Sequence, residues 1–114
     1  MSVLVAVTDS VEGDLALARA VAEADLRGTT LIVANLRLGP VAAPPEAKVI
    51  ERQPNVDVAE HVLKLLDDYA DEVELLVIGM KRRTPAGKLV LGSLAQTLLL
   101  AANVPVLAVK TAEL

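Results

Sequence analysis

Short apolar runs and amphipathic segments alternate along this chain. Residues 3–7, Val-Leu-Val-Ala-Val, form an unbroken apolar run, the pattern of a strand buried on both faces. Asp9 and Glu12 then make a helix start signal, and Leu15, Ala18, Val21 and Ala22 recur at helical spacing until Gly28 stops the helix. Residues 29–36 are rich in β-branched side chains and predict a second strand. The glycine and prolines between Gly39 and Pro45 leave room for a loop or a single helical turn, not a full helix. A short edge strand over residues 48–52 follows, and Pro54 and Asn55 turn the chain. Asp57 with Glu60 starts a second helix, whose apolar face is Val58, Val62, Leu65, Leu66 and Tyr69. Residues 74–79 read as a fourth strand. Ser93 with Gln96 reads as a capping box for a third helix ending at Asn103, and residues 105–109 close the pattern as a fifth strand.

Strands and helices in this order predict one α/β domain over residues 1–114, a three-layer sandwich around a five-stranded, mainly parallel sheet of order 3-2-1-4-5. In such sheets ligands bind beyond the carboxyl ends of the strands where the strand order reverses. Here that switch falls between strands one and four, whose ends carry Thr8-Asp9 and Ile78-Gly79.

Charge and glycine point to the same crevice. The chain of 114 residues has a formal net charge of −4. The loop between Gly79 and Gly92 holds Lys81, Arg82, Arg83 and Lys88 and no acid, so the remainder is strongly acidic. An acidic body with a small basic spot suits a small anion, and disfavours nucleic acid or an anionic membrane surface. Tyr69 is the sole aromatic residue, so base-stacking platforms are absent. Gly79 and Gly92 would let backbone approach phosphates, Ser93 would offer its hydroxyl and N–H, and Leu94 and Ala95 would add free N–H groups of a first helical turn. The pattern is not a Walker P-loop, which would need glycine at Arg82 and Ser or Thr at Leu89. Asp9 has two readings, a ligand contact or an N-cap, and Gly79, Gly92 and Ser93 equally serve a tight turn and a helix entry. His61, the only histidine, reads as a structural residue at a semi-exposed helical position. With no histidine cluster, paired carboxylates or activated nucleophile, the sequence predicts a protein that is not an enzyme.

No cysteine is present, which excludes disulfides and thiolate metal sites. No apolar run approaches the ~20 residues of a membrane span. The N-terminus lacks a basic n-region, and the expected location is the cytoplasm. A hydrophobic content of 54% in so small a chain anticipates cover by another subunit.

The chain resembles the universal stress proteins over nearly its whole length. The resemblance rests on Gly79, two residues, Arg82 in place of the family's second glycine, then nine residues and Gly92-Ser93. The early Val5-Ala6-Val7-Thr8-Asp9 and the closing Val104-Pro105-Val106-Leu107-Ala108-Val109 match the family's first and last strands. Two departures are Arg82 itself and the missing helix between strands two and three. The resemblance implies an adenine nucleotide alpha hydrolase-like fold and a stress-response or signalling role. It also implies an adenine nucleotide (ATP, AMP or cyclic AMP, with or without Mg2+) between Thr8-Asp9 and the basic loop. Leu36 and Ile78 would wall the base, and Arg82 and Arg83 would face the phosphates. A homodimer through residues 104–109 and an unidentified protein partner complete the expectation. The alternative is a homodimeric interaction module of the same fold that has lost its nucleotide, since a side chain at position 82 would crowd a triphosphate.

Overall fold

The structure, a computed structural model, describes residues 1–81 and 92–111. The element order is β1 (Ser2–Val7), α1 (Val11–Arg27), β2 (Thr30–Asn35), β3 (Lys48–Glu51), α2 (Val58–Asp68), β4 (Val73–Met80), α3 (Ser93–Ala101) and β5 (Val106–Lys110). The strands form one sheet in the order β3-β2-β1-β4-β5, every neighbouring pair parallel, as the alternation requires. No regular element occupies residues 36–47, so the second crossover is a loop, in keeping with its prolines.

Strand alternation divides the core in two. Val3, Val5 and Val7 of β1, with Leu31, Val33, Leu75 and Val77, pack against α1. Leu4, Ala6, Ile32, Ala34, Leu76 and Ile78 face the opposite way, against α2 and α3. The period slips once. Ser2 pairs with Val73 but Val3 pairs with Leu75, so a bulge at Glu74 moves Val73 to the α2 side. Ser2 pins this end of the sheet: its hydroxyl meets Thr30 Oγ1 at 2.6 Å and donates to Glu72 Oε2 at 2.6 Å.

The inner face of α1 differs from the sequence expectation. Its buried residues are Gly13, Ala16, Ala20 and Ala24, while Leu15, Ala18 and Ala22 are exposed and Val21 is half-buried. Distance decides this. A Cβ on Gly13 would lie 2.1 Å from the Thr8 carbonyl oxygen, so the first turn of the helix sits directly on the end of β1 and admits only small residues. The cap also falls one residue later than expected. Ser10, not Asp9, is the N-cap, its Oγ accepting from the Gly13 N–H at 3.1 Å. Gly28 ends the helix in the left-handed region at φ 62°, as its position anticipated.

Helix α2 follows its sequence signals. Asp57 caps it, accepting from the Ala59 and Glu60 N–H groups, and Val62, Leu65 and Leu66 are buried. His61 is buried as well, not semi-exposed, at 6% exposure, and its Nε2 has no partner. Burial, reinforced by the charges of Arg52 and Lys64, pushes its pKa down. Helix α3 starts at Gly92, which provides no side-chain cap, with Ser93 as its first helical residue and not its cap. It ends at Ala101, short of Asn103. No helix among the described residues is long and apolar enough to cross a membrane.

Candidate functional site

At the carboxyl edge of the sheet the chain leaves β1 for α1 on one face, while α3 covers the other face beside β4. A cavity of about 370 Å³ opens there. Ala6, Thr8 and Glu12 line it from β1 and the first turn of α1, and Ile78, Gly79, Met80 and Lys81 from the end of β4. Gly92, Leu94 and Ala95 close it from the start of α3. The sequence argument placed the ligand at this β1/β4 switch.

The two helix N-termini here are chemically different. That of α1 is satisfied by Ser10 and carries the acids Glu12 and Asp14. Thr8 Oγ1 meets the Ser10 hydroxyl at 2.7 Å, and the Thr8 carbonyl accepts from the Ser10 N–H at 2.9 Å, which fixes the turn. In α3 the Gly92 cap has no side-chain acceptor and the first turn has no acid. The first backbone bond of that helix is from the Gln96 N–H to the Gly92 carbonyl at 3.0 Å. The preceding N–H groups of the first turn have no acceptor within the helix, and they combine with the dipole to favour an anion.

The glycines also separate. A Cβ on Gly79 would lie 2.2 Å from the Glu12 carbonyl oxygen and 2.6 Å from its carbonyl carbon. Gly79 is therefore required by the packing of α1 on β4, whatever the crevice holds. At Gly92, φ is −67° and an added Cβ would meet no described atom within 4 Å. Neither packing against the described residues nor backbone conformation demands glycine there.

Of the residues singled out in the sequence, Thr8, Ile78, Gly79, Gly92, Leu94 and Ala95 come together in this crevice. Three others do not line it. Asp9 is exposed at its rim and ion-paired with Arg37, whose Nη2 approaches Oδ1 at 3.3 Å. Leu36 is 5% exposed and packed in the core with Ala6, Ile78 and Ala95, not presented as a wall. Ser93 is exposed at the start of α3 and is not among the residues that line the cavity. Arg82 and Arg83 lie outside the described residues, as does Lys88.

Sequence reasoning passed over Glu12 as a lining residue, having read it only as a helix start signal. It passed over Asn35 and Arg37 altogether. Asn35 is fully buried at the end of β2 and holds the following loop, donating to the Gly39 carbonyl at 3.0 Å and to Glu51 Oε1 at 2.9 Å, and accepting from the Arg37 N–H at 3.0 Å. The loop in turn places Arg37 between Asp9 and Asp14, with Nη1 2.9 Å from Asp14 Oδ1. A buried polar residue next to the predicted loop is the one signal that pointed to this arrangement. No group of three or more His, Asp or Glu side chains among the described residues is arranged to hold a metal ion.

A parallel sheet with a crevice at its switch point, lined by Gly79 and Gly92, defines an α/β fold of the kind in which ligands bind at the carboxyl edge. The family model "Universal stress protein family" matches residues 42–110, and the chain belongs to that family. A universal stress protein of Mycolicibacterium smegmatis is 55% identical over 60 residues, a match spanning 52% of this chain and 45% of that relative. The chain thus matches less than half the length of this relative. The structure of a universal stress protein from Archaeoglobus fulgidus has a TM-score of 0.71 at 26% identity, over 96% of this chain and 98% of that one. A structure of the universal stress protein from the same organism in complex with dAMP has a TM-score of 0.65 at 22% identity, again over 96% and 98%.

Proposed function

We propose that this chain is a nucleotide-binding stress-response or signalling module that takes an adenine nucleotide in the β1/β4 crevice without transforming it. The observation that carries the reading is the N-terminus of α3, with no side-chain cap among the described residues, opening on a cavity of about 370 Å³. Its first-turn N–H groups, which have no acceptor within the helix, suit a phosphate, Lys81 adds positive charge, and Ala6, Ile78, Met80 and Leu94 offer apolar contact for a base. The dAMP complex of the Archaeoglobus fulgidus protein lends support from a shared fold. Arg82 and Arg83 of the basic loop are the proposed partners of further phosphates. Glu12 is the one carboxylate among the described lining residues, so Mg2+ would arrive with a polyphosphate instead of occupying a protein cage. His61 lies in α2, away from the crevice, and none of the described lining residues pairs a nucleophile with a base, which favours binding over catalysis.

The same proposal includes a homodimer and a cytoplasmic location. β5 is an edge strand, and its residues 106–109 are half-buried, with no described element on their outer side. Pairing this edge with its own copy about a two-fold axis would satisfy both.

A second reading is favoured by two observations. Gly79 is consumed by packing against Glu12, and Asp9 is held by Arg37, so neither is kept free for a ligand. On that reading the chain is a dimerising interaction module without a nucleotide.

Calorimetric titration of the native chain with AMP, ATP and cyclic AMP separates the two. The first reading expects saturable binding of at least one nucleotide. It also expects neutralising Arg82 and Arg83 to weaken ATP more than AMP, each lost charge-assisted bond being worth roughly 1.5–3 kcal/mol. No heat with any of the three, from a folded dimer, would establish the second reading.

A further inference from the structure

The second crossover leaves one flank of α1 without a helix beside it. Parallel strands are normally joined by a helix, and a chain stepping from β1 to β2 to β3 by right-handed crossovers puts both connections on the same face of the sheet. The first connection is α1. The second, residues 36–47, lies on that face too, with Val41, Ala43 and Ala47 packed against the α1-side core, but it is a loop. A trough runs between this loop and α1, where a second helix would otherwise lie. It consists of two cavities, of about 650 Å³ and about 120 Å³, that share Val21 and Pro44. Leu17, Ala18 and Val21 form its helix wall, and Ala42, Ala43 and Pro44 its loop wall. Thr30 and Leu31 of β2 line one end, so the trough lies on the far side of the sheet from the β5 edge.

We propose that this trough takes a basic amphipathic helix of another protein, which completes the α1 layer. The backbone decides for a helix. One wall is itself a helix, whose main-chain groups are bonded internally, and the other contains Pro44 and Pro45, which have no N–H. An extended segment would find no strand edge to pair with, whereas a helix satisfies its own main chain and needs only side-chain contact. Charge selects its character. The charged residues that line the trough are Asp14, Asp25 and Glu46, and no lysine or arginine lines it among the described residues. Asp14 is paired with Arg37 at 2.9 Å, while Asp25 and Glu46 have no ion pair among the described residues. The neighbouring bases are engaged elsewhere: Arg19 and Arg27 with Glu23, and Lys48 over the Tyr69 ring on the α2 side of the sheet. Asp14 and Asp25 stand three turns apart, about 16 Å along α1, so a helix of about four turns lying alongside reaches both. A second copy of the chain fits poorly, because two-fold pairing sets a patch against itself and would face these carboxylates with their own copies.

The test is a 15N NMR titration of the intact chain with an acetylated, amidated peptide of two Leu-Ala-Gln-Leu-Lys-Ala-Lys repeats. One control peptide carries glutamate for every lysine, and another has the same residues in an order without a helical period. The proposal expects the basic peptide to shift the amides of residues 14–25 and 42–47. Both controls should bind at least about tenfold more weakly, as should the basic peptide to the exposed double variant Asp25→Lys/Glu46→Lys. Neither substituted side chain is in the core, so that variant should keep the native urea melt and separate recognition from folding. Shifts confined to other residues, or no shift at ~1 mM peptide, would overturn the proposal. Equal binding of the reordered peptide would do so too, since attraction to an acidic surface would then suffice. So would sedimentation showing a native dimer that Asp25→Lys/Glu46→Lys dissociates, because the trough would then be a self-interface.

Discussion

Two glycines of one crevice should respond to substitution in opposite ways. At Gly79 even alanine is too large: the new Cβ would overlap the carbonyl of Glu12, at 2.2 Å from its oxygen and 2.6 Å from its carbon. Both atoms are backbone, in the first turn of a helix held by the Ser10 cap, so relief requires moving α1 off β4. Overpacking costs about 1–3 kcal/mol, and a rigid neighbour argues for the upper end. A chain of this length has roughly 6–17 kcal/mol of stability in total, and each kcal/mol is worth about 4 °C in Tm. Gly79→Ala should therefore lose about 3 kcal/mol and about 12 °C. Gly92→Asp, by contrast, meets no described atom and adds a side-chain cap and a negative charge to the N-terminus of α3, a gain of roughly 0.3–1 kcal/mol. The same carboxylate would occupy the N–H groups proposed for a phosphate, so AMP affinity should fall by at least ~1.4 kcal/mol, or tenfold. Urea unfolding followed by circular dichroism measures the first quantity, since the chain has no tryptophan, and calorimetry the second. A Gly79→Ala chain as stable as the native one would refute the packing argument. Stabilised Gly92→Asp protein that binds AMP normally would move the phosphate away from α3.

Three further outcomes are expected. His61 is held below its ordinary pKa by burial, so the unfolded chain binds a proton that the folded chain refuses: stability should fall as pH drops below about 6.5, by at most ~1.4 kcal/mol per pH unit. His61→Gln should remove that acid-side slope in urea melts recorded between pH 5 and 8, and an unchanged slope would assign it to other groups. Asp57→Ala removes the acceptor for two N–H groups of α2 and should cost about 1 kcal/mol, read by the same melts; a loss near zero would mean that water replaces the cap. Leu107→Asp, on the half-buried edge strand, should convert the proposed dimer to a less stable monomer in sedimentation, whereas a native chain that is already monomeric would dispose of the dimer.

Much of this fold was legible because buried parallel strands are continuous apolar runs, as in residues 3–7, 31–34 and 75–78. The loop crossover was legible from its prolines, and α2 from Asp57 and a stripe of large apolar residues that the core does bury. What failed did so for a common reason. In α1 hydrophobicity and burial point different ways: Val11 and Leu26 are 67% and 80% exposed, while Gly13, Ala16, Ala20 and Ala24 carry the contact. A helix lying close on a sheet is selected for small size on its inner face, so the informative period was that of glycine and alanine.

Two helix caps were misread by the same route. Asp9 and Ser93 each stand one position from the true caps, Ser10 and Gly92, because the cap is whichever residue remains extended where the helix begins, and local sequence leaves that choice to the packing around it. Gly79 looked like a residue shaped by a ligand, yet its missing Cβ is filled by the carbonyl of Glu12, 67 positions earlier in the chain. Gly92 looked equivalent and is not, since nothing described in the fold requires it. A glycine that the fold needs says little about function. One that no described neighbour requires, at a helix start with no described side-chain cap, is the better evidence for something bound, and for this chain that argument rests on Gly92.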